Sequence, residues 1–263
     1  MDLKNENEPH YIQEANYAIK NFPKVDIIIP VSHQLKESLL SIIPEIKDKV
    51  EVVYNPISVE KIINKSLDNI PEEKYKGLQL LSIGRLSKQK RFDRLIQACR
   101  KLKYNDKLDF HLWIVGEGPE RTNLTRQIKK LGLENTIELI GFKENPYPYL
   151  KASDLFVLSS YHESMAYVIL EAMILNKPIV STNVSGPGEL LKASLPKGQL
   201  TNKGEYGLIT ENSTEGVYQG LKKMIQDKNL RDSFINKKPD FSSFEIPRII
   251  KQIETIFDQL TSE

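Results

Sequence analysis

The chain has 263 residues, 40% of them hydrophobic and 27% charged, with 37 Lys and Arg against 35 Asp and Glu. That length holds one large domain, or one domain and part of another, and the composition is that of a globular protein. A net charge of +2 gives no general pull toward nucleic acid, which would have to bind a local basic patch.

The first residues, MDLKNENEPHYIQEANYAIKNF, are polar and acidic and carry no secretory signal. No apolar run approaches the ~20 residues that span a bilayer, so the default compartment is the cytoplasm. The single cysteine, Cys99, provides no disulfide framework and fits a reducing compartment. In RLIQACRKL it reads as a small core residue of a helix rather than a nucleophile.

Next comes KVDIIIPVSHQLKESLL, which reads as a strand, a Ser32 cap and a helix; KVEVVYNPIS reads as a second strand leading into a turn. Two strands do not make a stable α/β sheet, so residues 1–60 are read as the remnant of a preceding lobe. The polar stretch 61–76 is read as a linker. From residue 77 short apolar runs alternate with helical patterns. The strand candidates are Leu78–Ile83, Phe110–Val115, Thr136–Ile140, Leu155–Leu158 and Ile179–Thr182, with a weaker one at Gly207–Thr210. Helical stretches lie near 91–103, 117–131, 165–175 and 214–227.

Unalternated apolar runs interleaved with helices indicate parallel strands buried on both faces. Residues 77–240 are therefore expected to form an α/β domain with a doubly wound parallel sheet, which binds ligands beyond the carboxyl ends of its strands. The final stretch, SSFEIPRIIKQIETIFDQL, has helical apolar spacing, and residues 241–263 are expected to pack back on the N-terminal segment.

The chemistry-bearing residues fall at those strand ends. Gly84 permits a turn and close ligand approach, and Arg85 and Lys90 bracket that turn and can jointly neutralise a diphosphate. Their neighbours Lys88, Arg91 and Arg94 make a solvated basic turn the alternative. Gly116 opens a tight strand-to-helix turn in Val115-Gly116-Glu117-Gly118-Pro119. Gly141-Phe142-Lys143 offers backbone groups to a base edge, with Phe142 nearby or in the core. His162 has no Cys or His at metal spacing and reads as a loop residue.

The most informative stretch is YHESMAYVILEAMILNKPIVSTNVSGPGE, residues 161–189. Glu163 and Glu171 stand eight residues apart, and eight helical residues rise about 12 Å and turn about 80° past two full turns. One helical face would not aim both at one spot. With the helix starting near Met165, Glu163 lies on the preceding loop and Glu171 two turns in. Both then reach one extended ligand, with the helix N-terminal amides between them facing a phosphate. Taken singly, Glu163 is equally a capping acid and Glu171 an exposed helical carboxylate. Leu175-Asn176-Lys177-Pro178 reads as a left-handed Asn stop followed by proline, and Ser185-Gly186-Pro187-Gly188-Glu189 as a flexible loop.

The succession GRLSKQK, VGEGP, IGF and SDLFVLSSYHES–VILEAMILNKPIVST resembles the Rossmann-like C-terminal donor domain of GT-B glycosyltransferases, in particular the retaining group 1 class, family 4. The resemblance covers residues 25–260 and is sharpest over 153–189. It implies that Arg85 and Lys90 contact a donor diphosphate, that Glu163 lies by the transferred sugar, and that Glu171 accepts bonds from the ribose hydroxyls. The backbone from Ser164 through Met165 and Ala166 to Tyr167 then approaches sugar and phosphate. It implies catalysis by Glu163, Arg85 and Lys90 with no cofactor and no metal.

The implied donor is a nucleotide-diphosphate sugar, UDP-linked by commonest usage, and the acceptor a lipid-linked molecule or a polysaccharide. A second chain supplying the N-terminal lobe is a further implied partner, and nucleic acid is not. The implied setting is cytoplasmic, or peripheral to the inner membrane face through basic residues of 88–103, which otherwise read as a solvated helix face. Two departures stand out: Glu163-Ser164-Met165-Ala166 replaces the frequent Glu-Gly-Phe-Gly, and Arg91 follows Lys90 where glycine is frequent. Two other readings stand beside this one: a non-catalytic nucleotide-binding module, separable by a turnover assay, and an epimerase of the same fold, which would need further acid/base groups.

Overall fold

The computed structural model describes residues 16–70, 72–235 and 237–261. They form two compact units. One comprises the chain up to Ser58, the tetrapeptide His162–Met165 and the stretch from Asp240; the other comprises Val59–Tyr161 and Ala166–Pro239. The strands are β1 (Leu78–Ile83), β2 (Phe110–Val115), β3 (Ile137–Gly141), β4 (Leu155–Leu158), β5 (Ile179–Thr182), β6 (Thr201–Lys203) and β7 (Leu208–Thr210). The helices are α1 (His33–Leu40), α2 (Val59–Lys65), α3 (Phe92–Tyr104), α4 (Arg121–Lys130), α5 (Tyr147–Ala152), α6 (Tyr167–Ile174), α7 (Pro187–Leu190), α8 (Thr214–Gln226), α9 (Lys228–Ile235) and α10 (Ile246–Thr261).

In the larger unit the strands lie in the order β3-β2-β1-β4-β5-β7-β6. All neighbours run parallel except β6 and β7. Because side chains alternate along a strand, Leu80, Leu112, Ile114, Leu155 and Val157 enter a core with Leu95, Cys99 and Leu102 of α3, Leu124 of α4, and Leu221 and Met224 of α8. Their neighbours Leu81, Trp113 and Phe156 are equally buried, and Trp113 meets the Tyr149 ring of α5 edge-on at 5.7 Å. Both faces are thus covered, as the apolar runs imply. Desolvation pushes the Cys99 thiol far up, which keeps it an unreactive core group.

The chain runs β1 to β3 in one direction across the sheet and then β4, β5 and β7 in the other. The switch therefore falls between β1 and β4, the place where open α/β sheets bind ligands beyond their strands' carboxyl ends. Asn176 ends α6 in the left-handed conformation (φ 54), with Pro178 two residues on.

Several elements differ from the sequence expectation. The third strand sits one residue later than Thr136–Ile140. The second long helix begins at Arg121 rather than 117, because Gly116 and Gly118 occupy φ +145 and +157, far from helical values. α5, α7 and α9 were not expected, nor was the antiparallel edge β6. The loop read over Ser185–Glu189 instead winds into α7 after Gly186 at φ 81. The range read as a linker, 61–76, starts inside α2, whose Ile62 is buried.

In the smaller unit the two expected N-terminal strands reduce to one parallel bridge, Ile28 with Val50. Ile28 N–H donates to Lys49 O at 2.7 Å and Glu51 N–H to Ile28 O at 3.1 Å. Pro30 supplies no N–H to extend the ladder, and among the described residues no further strand pairs there. Ser32 caps α1, its Oγ accepting from Leu35 N–H at 3.2 Å. Ile249 and Ile256 of α10 cluster with Val53, flanked by Ile27, Tyr54 and Ile253, and Gln252 Nε2 donates to Val52 O at 2.9 Å.

Candidate functional site

The carboxyl end of β1 is held by neighbouring strand ends. Gly84 N–H donates to Val115 O at 3.0 Å, Gly116 N–H to Gly141 O at 2.8 Å and Leu86 N–H to Glu117 O at 2.8 Å. Leu86 is fully buried, so it anchors the turn while its neighbour Arg85 stays exposed. Gly116 has no alternative at this junction: a Cβ there would stand 2.0 Å from Gly84 O.

The 3-10 turn Lys88–Lys90 follows, and Arg91 leaves it at φ 51. Arg91 Nε and Nη2 each reach Asp93 at 3.0 Å. From the end of β4, Ser159 Oγ donates to Lys90 O at 2.9 Å and Tyr161 N–H to Gln89 O at 2.8 Å. This clasp fixes the turn so that the Lys90 stem lies over Gly84, whose Cβ position is 3.2 Å from Lys90 Cε. Arg85 and Lys90 thus flank one glycine.

Beside them opens a cleft of about 500 Å³ lined by Gly84, Arg85, Gly116, Phe142, Lys143 and Pro146, among others. Phe142 is 71% exposed, so it is a wall of this cleft and not a core residue; no partner strand or helix covers the position after β3. Lys143 is tethered, its ammonium 2.9 Å from Glu72 and over the Tyr149 ring at 5.3 Å. The Tyr149 and Glu72 hydrogen bonds raise its pKa.

Pro146 leads into α5, whose first residue reaches Glu171: Tyr147 Oη donates to Glu171 Oε1 at 3.2 Å. Burial raises the Glu171 pKa, with the Tyr147 hydrogen bond opposing it. The Tyr147 hydroxyl is itself pushed up to about 12 by burial and by the Glu171 charge. One turn earlier on α6, Tyr167 has its Oη buried with no hydrogen-bond partner among the described residues, and burial raises its pKa to about 12.

Ala166, at the N-cap of α6, has φ 55 and ψ 66. A left-handed alanine costs about 1–2 kcal/mol, whereas glycine there adds about 0.4–1 kcal/mol of unfolded-state entropy. Ala166→Gly is therefore expected to leave the urea midpoint unchanged or raise stability by about 1 kcal/mol. A loss of stability would show that the methyl contacts outweigh the strain.

Glu163, Ser164 and Met165 belong by their contacts to the smaller unit. Glu163 and Met165 are 7% and 2% exposed, and Ser164 O accepts from Ser32 Oγ at 3.0 Å. One hydroxyl therefore caps α1 and secures the tetrapeptide.

Among the described residues no three His, Cys, Asp or Glu side chains gather to hold a metal ion, and no helix is long and apolar enough to cross a membrane. Of the site residues expected from sequence, Gly84, Arg85, Gly116, Phe142 and Lys143 line the cleft, Lys90 packs its stem on Gly84, and Glu171 is bonded to Tyr147, the residue after the cleft's Pro146. Sequence reasoning missed Tyr147, Glu117 and Glu144. The repeated Pro-Tyr of ENPYPYL was the available signal for Tyr147.

A mostly parallel sheet whose order reverses between β1 and β4, with a cleft over the carboxyl ends of β1, β2 and β3, is the α/β arrangement of the GT-B fold. The model of the family "Glycosyl transferases group 1" matches residues 64–241, and the chain belongs to that family. It is 35% identical over 82% of its length to the N-acetylgalactosamine-N,N'-diacetylbacillosaminyl-diphospho-undecaprenol 4-alpha-N-acetylgalactosaminyltransferase of Campylobacter jejuni. It is 31% identical over 92% of its length to an uncharacterized glycosyltransferase of Methanocaldococcus jannaschii. It spans 55% and 66% of those relatives' lengths. Among solved structures, Anabaena HepE in complex with UDP and glucose matches with a TM-score of 0.78 at 20% identity, over 98% of this chain and 69% of that one.

Proposed function

We propose that this chain is the donor-binding part of a glycosyltransferase that moves a sugar from a nucleotide-diphosphate sugar to an acceptor with retention of configuration. The observation that carries this reading is the cleft beyond β1, where Arg85 and the Lys90 stem flank Gly84. Two cations beside a glycine fit a diphosphate, and they stabilise the charge that builds on it as the sugar–phosphate bond breaks. Glu171 accepts the ribose hydroxyls and so positions the reacting end. The family resemblance assigns Glu163 to the transferred sugar, and the amides of Ser164 to Tyr167 to sugar and phosphate. No cofactor has a role in this scheme, and the positive charge at the diphosphate is assigned to Arg85 and Lys90 alone.

The uridine assignment is supported by HepE, whose structure holds UDP and glucose, and by a second HepE structure with UDP-glucose. A lipid-linked acceptor in glycoconjugate synthesis is supported by the diphospho-undecaprenol substrate named for the C. jejuni relative. Calorimetry with UDP, GDP and ADP tests the reading: UDP is expected to bind best, and Arg85→Ala to weaken it by roughly tenfold or more, the worth of a charge-assisted contact. Failure of every nucleotide to bind, or indifference to Arg85→Ala, would overturn it.

A further inference from the structure

The same sheet carries a second cavity at its other margin. It measures about 630 Å³ and is lined by the amino ends of three strands, at Leu78 before β1, Asp154 before β4 and Pro178 before β5, closed by α9. Leu78 lines this cavity and Ile83 the cleft described above, so the two lie about 17 Å apart along β1 at ~3.3 Å per residue.

Its charge is lopsided. Lys74, Lys76, Lys177, Lys228 and Arg231 face only two carboxylates, Asp154 and Asp232. That surplus of three exceeds the +2 of the entire chain. Those carboxylates pair with two of the lining lysines, Lys74 with Asp154 at 2.8 Å and Lys228 with Asp232 at 2.6 Å. Such solvent-facing pairs are weak and readily re-partnered.

Lys177 lies deeper, its ammonium donating to Lys151 O at 2.5 Å and Ser153 O at 2.9 Å. Both are neutral carbonyls, and among the described residues no carboxylate is bonded to it. Burial, with Lys74 and Lys151 opposing Asp154, lowers its pKa to about 8. Arg231 donates to Met224 O and Ile225 O through Nη1 alone, and its planar fork carries further donors suited to phosphate.

We propose that this cavity is a binding site for a phosphate-bearing anion, separate from the nucleotide cleft, with Lys177 and Arg231 as its floor and Lys76 and Lys228 at its mouth. A bound phosphate offsets part of the three-charge surplus and gives the Lys177 ammonium an anionic partner. The phosphate can belong to a free metabolite or to a membrane headgroup, since the cavity opens to solvent on one side. The inference does not depend on the donor reading, because it uses none of the same residues.

Inorganic pyrophosphate titrated into the chain by calorimetry tests the free form. Co-sedimentation with phosphatidylglycerol vesicles, against phosphatidylcholine, tests the headgroup form. The double variant Lys76→Ala/Lys228→Ala removes two surface lysines and leaves the core intact, and Lys177→Gln keeps amide donors for the two carbonyls. Saturable binding in either arm, weakened at least tenfold by the double variant or by Lys177→Gln and retained in Arg85→Ala, supports the site; the arm that responds identifies the source. Absence of binding in both arms overturns it. So does binding lost in Arg85→Ala but unchanged in the lysine variants, which would place the anion in the nucleotide cleft.

Discussion

Replacing Glu171 by alanine is expected to weaken UDP binding by roughly 10- to 150-fold, since hydrogen bonds to a charged group are worth about 1.5–3 kcal/mol. The fold supplies the reason for the size of the effect. The carboxylate is half-buried on α6 with one oxygen held by Tyr147, so its other oxygen is presented at a fixed place and loses little freedom on engaging a ribose. The direction of the pH dependence follows from the same environment. Burial raises the Glu171 pKa, so the accepting, ionised form is lost at a higher pH than for an ordinary glutamate. Affinity is expected to fall as pH drops from 7 toward 5, and Glu171→Gln to abolish that slope.

Tyr147→Phe removes the hydrogen bond that opposes the rise. It is expected to move the midpoint of the pH profile upward and to weaken binding at pH 6 more than at pH 8. Calorimetric affinities at several pH values check all three variants. A Tyr147→Phe profile superimposable on wild type would show that the contact does not tune the carboxylate.

The second large effect is expected at Gly116, where alanine should cost several kcal/mol of stability. A left-region backbone forced on a residue with a side chain costs about 1–3 kcal/mol, and here φ is +145. The new methyl would also stand 2.0 Å from Gly84 O, so the β1 and β2 ends must part, adding about 1–3 kcal/mol of overpacking strain. That parting displaces Gly84 and Arg85, so UDP affinity should fall together with Tm. Gly198→Ala is the control. Its φ is also positive, but nothing lies within 4 Å of the added carbon, so it reports backbone strain alone. Equal losses at the two positions would show that the clash with Gly84 O relaxes freely.

The sheet was legible because its strands are uninterrupted apolar runs: Leu78–Ile83, Phe110–Val115, Leu155–Leu158 and Ile179–Thr182 coincide with the observed strands. Periodicity also located α3 and α8, whose apolar faces meet one core. The short pieces escaped for reasons of length. Tyr147–Ala152 and Pro187–Leu190 span less than two turns, too few for a 3.6-residue period to declare itself. β6 carries Asn202 and Lys203 on a sheet edge, where polar residues are the norm and no apolar signal arises.

At the N-terminal end the apolar stretches 25–29 and 50–53 looked like strands because they are extended and β-branched. A strand needs partners, however, and these have only each other. For the site, glycine spacing at strand ends gave Gly84, Gly116 and Lys143. The Tyr147–Glu171 bond joins residues 24 apart on different helices, and no local pattern encodes such a pair.

The smaller unit has one buried cluster within residues 18–50 and a second that joins Val53 to Ile249 and Ile256, with nearly 200 positions between them. α10 is synthesised after every element of the larger unit. Domains generally fold as units, so the sheet can fold before this second cluster closes. For that interval Ile27, Val53 and Tyr54 lack the Ile249 and Ile256 that cover them in the finished fold. Closure of that cluster therefore has to wait for α10, however early the sheet forms.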